Sequence, residues 1–376
     1  MNVLHISSEP PGNKSGGQIV IKQSLYSLSR VSNLDYLGVT IKENIIKDRY
    51  SNVYYLKEDN KLLTKIIECL LMKKSKVYFD FRKKIENVDI KKYDYVYLEF
   101  TKWLFAIKYA KKNNKKVIVR LHNIESDLIY NLYKIEKSPL IYISYLYYKY
   151  IEKRIISKSD YIIALTEKDK KRIFELYGNV IKKDHIYVMP VCVEKRGTNK
   201  NIMNKNEIKL LITGSLYYGP NYEGVIWFIN NVWRRIKDNC KLFIVGSNPN
   251  SKLKNLVKYD NKIELISNPK DTKDYFMNSD IFVSPIFSGA GMKVKNAEAM
   301  SYGLPIVGTD HSFIGYEKSI KYHFIANNAD DFVDKIKYLM NQDIDEMNRI
   351  KKDVLLDFEK RYNIDNSYQY IEKILK

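Results

Sequence analysis

Twice along this chain, short apolar runs alternate with longer stretches of helical spacing, and a polar break separates the two series. The first series begins at MNVLHISS and continues through YDYVYLEF, KVIVRLHN, YIIALT and HIYVMPVCV, with helical segments such as IVIKQSLYSLSR and EKDKKRIFELYG between them. After KRGTNKNIMNKNE the pattern restarts with IKLLITG, CKLFIVGS, KIELIS, IFVSP and PIVGT. Apolar strands that alternate with helices imply a parallel sheet covered on both faces. The chain's 376 residues suffice for two such cores. The sequence therefore predicts an α/β architecture of two doubly wound domains, 1–190 and 191–355, with a terminal helical segment, 356–376, able to cross back to the first. In such sheets ligands bind outside the carboxyl ends of the strands, so the loops that follow strands are where function belongs. Gly178 is expected to close the helix EKDKKRIFELYG.

The longest run free of charge, Leu210 to Tyr222, is 13 residues, short of the roughly 20 needed to span a bilayer. MNVLHISSEPP lacks the basic flank and apolar core of a secretory signal. Three scattered cysteines, Cys69, Cys192 and Cys240, offer no metal-ligand spacing and suit a reducing compartment, so a cytoplasmic protein is expected. Charge is uneven. The net is +20 overall, with 36 basic and 21 acidic residues in 1–190. That field suits phosphates, whether of a pyrophosphate-bearing substrate, anionic lipid or nucleic acid.

The most informative stretch is Ser284 to Thr309, SPIFSGAGMKVKNAEAMSYGLPIVGT. A strand ends at Pro285, Gly289, Ala290 and Gly291 form a loop, and a helix is expected from Met292 through Glu298 to Tyr302. Glycines ahead of a helix let backbone N–H groups approach an anion at the positive end of the helix dipole. Lys293 and Lys295 add full charges, and Glu298 is placed to accept hydrogen bonds from ribose hydroxyls. A diphosphate fits this pattern.

These residues resemble a known family. GAGMKVKNAEAMSYGLPIVGT, with GSLYYGPNYEGVIWFINNVW and LFIVGSNP before it, is similar to the C-terminal half of glycosyltransferase family 4, and RLHNIES, SDYIIALTEKDKK and the SGG loop match its N-terminal half. The resemblance covers nearly the whole chain and implies a retaining nucleotide-sugar transferase of GT-B fold, with two Rossmann-like domains facing a central cleft. It implies that Glu298 binds donor ribose, that Gly289 through Lys295 hold the donor sugar and phosphates, and that His122 lies near the reacting sugar. Gly16 and Gly17 would pass close to the diphosphate. Gly214 and Ser215 correspond to the phosphate loop after the first strand of the donor domain, and Ser267 and Asn268 lie beside the base. The chain departs from the family where a Glu eight positions before Glu298 is replaced by Ala290, resembling a branch that reads G-x-G-x-K-x-K. Ser215 and Pro220 stand where many members carry Arg and Lys. Lys293 and Lys295 are therefore expected to take over the phosphate charge, with His122 and Lys293 as the catalytic pair.

Remaining features have weaker readings. Glu125 is a candidate for the acceptor side, and Asn221 for a helix cap. Trp227 and Trp233 read as core, Asp343 and Asp345 as solvated despite their D-x-D spacing, and His5, His185, His311 and His323 as structural. No metal and no cofactor is expected beyond the nucleotide-sugar substrate. The segment 61–84 combines six Leu and Ile with Lys73, Lys74, Lys76, Arg82, Lys83 and Lys84. It suits an anionic membrane surface, hence a peripheral position on the inner face of the membrane and a glycan or polyprenyl-diphosphate-linked acceptor in capsule or O-antigen assembly. Two alternatives are an epimerase of the same fold, which would need more acid–base residues than His122, and a nucleic-acid-binding protein, for which no recognised module is present.

Overall fold

A computed structural model describes residues 1–13, 15–39, 52–56, 83–101, 103–197, 207–289, 291–316 and 322–376. Ala290 and most of the segment 61–84 lie outside the described residues. The chain divides into two compact units, one of Met1–Pro190 with Ser367–Lys376, the other of Val191–Asn366. Of the segment 356–376, residues 356–366 stay in the second unit and only the last ten belong to the first.

The first unit is built on a seven-stranded parallel sheet: β1 (Asn2–Ser7), β2 (Asn33–Val39), β3 (Asn52–Leu56), β4 (Tyr95–Glu99), β5 (Lys116–Arg120), β6 (Tyr161–Ala164) and β7 (Ile186–Val188), in the spatial order β3-β2-β1-β4-β5-β6-β7. Its central strands are apolar on both faces because both are covered: all five residues of β4, Glu99 included, are buried. The helix Gly16–Val31 begins where the Ser15 side chain accepts a bond from the Gln18 N–H. The terminal helix Tyr368–Leu375 packs against it, joined by a Ser27–Ser367 hydroxyl pair at 2.6 Å. Gly178 does end the helix Glu167–Tyr177, though in a right-handed conformation (φ −60°). A Cβ there would come within 2.6 Å of the Phe174 carbonyl, so close approach, and not left-handed geometry, explains this glycine.

The second unit carries six parallel strands: β8 (Ile208–Ser215), β9 (Cys240–Ser247), β10 (Ile263–Ser267), β11 (Ile281–Ser284), β12 (Ile306–Gly308) and β13 (His323–Ile325), ordered β10-β9-β8-β11-β12-β13. In each unit the order reverses at one place, β1/β4 in the first and β8/β11 in the second. These switch points are where a doubly wound sheet opens a crevice. Trp233 is buried with its indole N–H on Asp260, and Trp227 packs edge-on to Phe287 and Phe332. Asp343 caps the helix Ile344–Arg361 through the Glu346 N–H, which accounts for half of the D-x-D pair. Among the described residues no helix is long and apolar enough to cross a membrane.

Candidate active site

The switch point of the second unit gathers most of the sequence-assigned donor residues. Beyond β11, Gly289 and Gly291 adopt φ of 95° and 71°, left-handed values that glycine takes without strain. The helix that follows is Val294–Ser301, starting two residues later than its sequence suggests. The reason is Lys293, whose extended backbone (φ −87°, ψ 94°) makes it the N-cap residue. Its ammonium turns back to the Gly291 carbonyl at 3.1 Å, clamping the loop. His311 Nε2 lies 2.6 Å from the Gly289 carbonyl oxygen and fixes the loop from its other side, so this histidine belongs to the site.

Lys295 reaches across to β8. Its ammonium donates to the Thr213 carbonyl (3.2 Å) and to Asn221 Oδ1 (2.9 Å), while Asn221 Nδ2 donates to the Ser215 carbonyl (3.0 Å). Asn221 is therefore no helix cap: Tyr218 holds the N-cap position of Gly219–Asn231, and the amide instead ties Lys295 to the end of β8. Gly214 sits beneath this bridge, where a Cβ would lie 3.0 Å from the Asn221 amide and 3.3 Å from the Lys295 ammonium. Burial pushes the Lys295 ammonium down to about 7, helped by the like charge of Lys293 and opposed by Glu298. Burial pushes the Glu298 carboxyl up to about 7, against the pull of Arg196 and Lys295. Arg196, which the sequence did not single out, thus contributes to the field at Glu298. An ammonium whose charge burial disfavours, as at Lys295, gains most from an arriving anion such as a diphosphate.

Other assigned residues lie further out. Met292 is buried and its sulfur accepts from the Val191 N–H at 3.3 Å. Ser267 and Asn268 are exposed at the end of β10, two strands from β8, with Asn268 in a left-handed conformation (φ 53°). Among the described residues no group of three His, Cys, Asp or Glu side chains gathers as metal ligands.

The first unit has a site of its own at the β1/β4 switch point. Glu99, the last residue of β4, is fully buried and accepts from two imidazoles: His122 Nε2 at 2.6 Å and His5 Nε2 at 3.0 Å. Burial alone would raise the Glu99 carboxyl, but the bonds from His122 and His5 outweigh it and hold it well below the usual carboxylate range. An ionised carboxylate only accepts, so both Nε2 atoms donate and, in the neutral rings, both Nδ1 atoms carry lone pairs. His122 Nδ1 is buried and meets no hydrogen-bond partner among the described residues. Gly17 borders it: a Cβ there would stand 3.8 Å from this nitrogen and 3.4 Å from the Glu9 carboxylate. Phe100, with a positive φ of 68° that a bulky side chain adopts only under strain, lays its ring on His122 at 4.0 Å. His5 is thus a partner of the carboxylate that orients His122, more than the packing residue its sequence context suggests. Gly16 is exposed at the helix start, and Glu125 N–H donates to the buried Glu152 carboxylate at 2.7 Å, the Glu125 side chain being half-buried.

Comparison with known proteins bears on both units. Residues 207–342 match the family model for glycosyl transferases group 1. The chain is 29% identical over 321 residues to an uncharacterised 44.6 kDa protein in the cps region of Klebsiella pneumoniae, covering 78% of this chain and 79% of that one. It is 28% identical over 221 residues to the uncharacterised glycosyltransferase MJ1069 of Methanocaldococcus jannaschii, over 56% of this chain and 55% of that one. Among solved structures, Anabaena Alr3699/HepE in complex with UDP and glucose superposes with a TM-score of 0.70 at 12% identity, over 100% of this chain and 99% of that one. The fold is GT-B. The fold likeness extends over both units, while the family match is confined to residues 207–342.

Proposed function

We propose that this protein transfers a sugar from a nucleoside-diphosphate donor, UDP- or GDP-linked, to a hydroxyl of a growing or lipid-linked glycan, with the anomeric configuration kept. The observation that carries the donor half is the loop clamped by Lys293 and His311 beside the Lys295–Asn221 bridge, with Glu298 one turn along. Loop N–H groups, the helix start and two ammonium groups supply positive charge where the leaving diphosphate develops its own. Lys295, whose ammonium burial pushes down to about 7, is partly deprotonated at neutral pH and gains its full charge as the anion arrives. Glu298 takes the ribose hydroxyls. In the first unit His122, oriented by Glu99, offers Nδ1 to a hydroxyl of the reacting sugar. The sugar's departing phosphate oxygen takes the acceptor proton as the acceptor attacks from the same face, so no protein nucleophile is needed and rate comes from positioning and cations.

The relative from a capsule (cps) region supports a role in envelope polysaccharide assembly. The cationic first half, +15 over residues 1–190, supports a peripheral position on the inner face of the membrane. The test is a thermal-shift panel of UDP, GDP, ADP and CMP, followed by NMR of the sugar first released when the best donor is slowly hydrolysed. Stabilisation by one nucleoside diphosphate and release of the donor's own anomer are expected. An inverted anomer contradicts the mechanism, and silence across the panel contradicts the donor class.

A further inference from the structure

The helical hairpin Glu125–Glu136 and Pro139–Ile156 leaves a long apolar stripe outside the fold. Its helices pack on each other through tyrosines, Tyr130 on Tyr145 at 4.9 Å and Tyr133 on Tyr142 at 5.0 Å. On the outward face of the second helix, Leu140, Ile143, Leu146 and Tyr150 recur every three or four residues, and they are 75%, 51%, 49% and 55% exposed. Ile135, at the turn, is 80% exposed. A helix normally turns such a stripe inward, and an exposed one of this extent marks a docking surface.

Charge identifies the occupant. Lys134, Lys137 and Lys149 are exposed and lie over the rings of Tyr130, Tyr133 and Tyr145 at 4.8, 5.9 and 5.6 Å, and Arg154 lies over Tyr150 at 5.5 Å. The apolar residues crowd the turn, while Lys153 and Arg154 continue the same face towards the base. An apolar tip backed by tyrosines and basic heads suits a lipid interface, where rings sit at headgroup depth and ammonium groups meet anionic lipid. The core of a protein–protein interface is instead depleted of lysine. We propose that this hairpin docks tip-first on an anionic bilayer.

The docking face also has a fixed relation to the site. Glu152, buried at the hairpin's base, accepts from the Glu125 and Ser126 N–H groups (2.7 and 3.2 Å) and from the Tyr177 hydroxyl (2.8 Å). That pins the second helix to the segment that begins three residues after His122. The 12 residue steps from Leu140 to Glu152 span about 18 Å of helix, which sets the depth at which the His122 loop stands above the lipid. The inference rests on the lipid-linked acceptor reading for its purpose, but not for its measurement.

The full chain is sedimented with large vesicles of phosphatidylcholine, alone or with about one third phosphatidylglycerol. The wild type is expected to bind the anionic vesicles. The exposed triple substitution Ile135→Asp/Leu140→Asp/Ile143→Asp lowers the bound fraction about tenfold or more. Lys134→Glu/Lys137→Glu/Lys149→Glu abolishes the preference for anionic over neutral vesicles. No binding by the wild type, or undiminished binding by the aspartate variant, overturns the proposal. So does a dimer, seen by light scattering, that the aspartate substitutions dissolve while vesicles are ignored. UDP and GDP titrations on the same variants stay at wild-type affinity. Vesicle binding without nucleotide binding would leave the docking face standing and sink the transferase reading alone.

Discussion

Replacing Glu99 by glutamine is isosteric, yet it forces a rearrangement. The wild-type carboxylate accepts from both His5 and His122 at Nε2. Glutamine can accept from only one of them. Its amide N–H must meet a lone pair on the other, so that ring has to switch to the Nδ1–H tautomer. Exchanging a charge-assisted bond for a neutral one costs about 1–3 kcal/mol. Glu99→Ala removes both acceptors inside a fully buried pocket, and about 3–5 kcal/mol is expected, as for a broken buried pair. If the switched ring is His122, its Nδ1 changes from acceptor to donor at the face bordered by Gly17, and turnover should fall about 10- to 100-fold, as for a positioning hydrogen bond of about 1.5–3 kcal/mol that is lost in a buried site. The assays are chemical denaturation, nitrogen NMR of the imidazole tautomers and donor turnover. The depressed carboxyl also has a pH signature. Its stabilisation is present above the unfolded value of 4.5 and is lost as pH falls towards its lower folded value, a limb that Glu99→Gln should remove. A glutamine variant with wild-type stability, tautomers and turnover would refute this reasoning.

Lys295→Met should leave the ligand-free protein within about 1 kcal/mol of the wild type, because it removes a desolvated amine along with two hydrogen bonds, while nucleoside diphosphate affinity drops at least about tenfold. Denaturation and calorimetry check the two halves separately. The same site should shape stability against pH in opposite directions. Between 4.5 and about 7 the folded Glu298 holds a proton that the unfolded chain has lost, so its contribution falls as pH rises. Between about 7 and 10.5 the unfolded Lys295 holds the extra proton, so stability climbs again. Glu298→Gln should flatten the acid limb and Lys295→Met the alkaline one in melting curves taken across this range. Gly224→Ala would put a methyl 1.9 Å from the Pro285 carbonyl oxygen. It should cost about 1–3 kcal/mol through overpacking, read from denaturation of the second unit.

Five of the seven strands of the first sheet and five of the six of the second were legible in the sequence, because buried parallel strands read as unbroken apolar runs, as VLHI and LLIT do, whereas β2, β3 and β13 were not read. The loop ahead of Val294 was legible for a related reason: glycines and closely spaced lysines are local signals, complete within eight residues of chain. What escaped notice depends on contacts distant in sequence. Glu99 looked like the end of a strand, and only the adjacency of β1, β4 and β5 brings it to His5, 94 residues away, and to His122. A carboxylate closing an otherwise apolar strand was the available clue. Asn221 read as a cap because Asn favours helix starts, yet its partner, Lys295, is 74 residues on. His311 and Arg196 act on residues of other segments in the same way. The exposure of the hairpin's apolar stripe was not legible, since periodicity gives the direction of an apolar face relative to its own axis and not whether anything covers it.

The central claim is that the clamped loop and Glu298 bind a nucleoside diphosphate. Calorimetric titration of UDP and GDP into the wild type, Lys293→Ala and Glu298→Ala addresses it most directly. The account predicts saturable one-site binding of one of the two by the wild type, weakened at least about tenfold by each substitution, the lysine effect shrinking as salt is raised. Equal affinity in all three proteins, or none in the wild type, would contradict it.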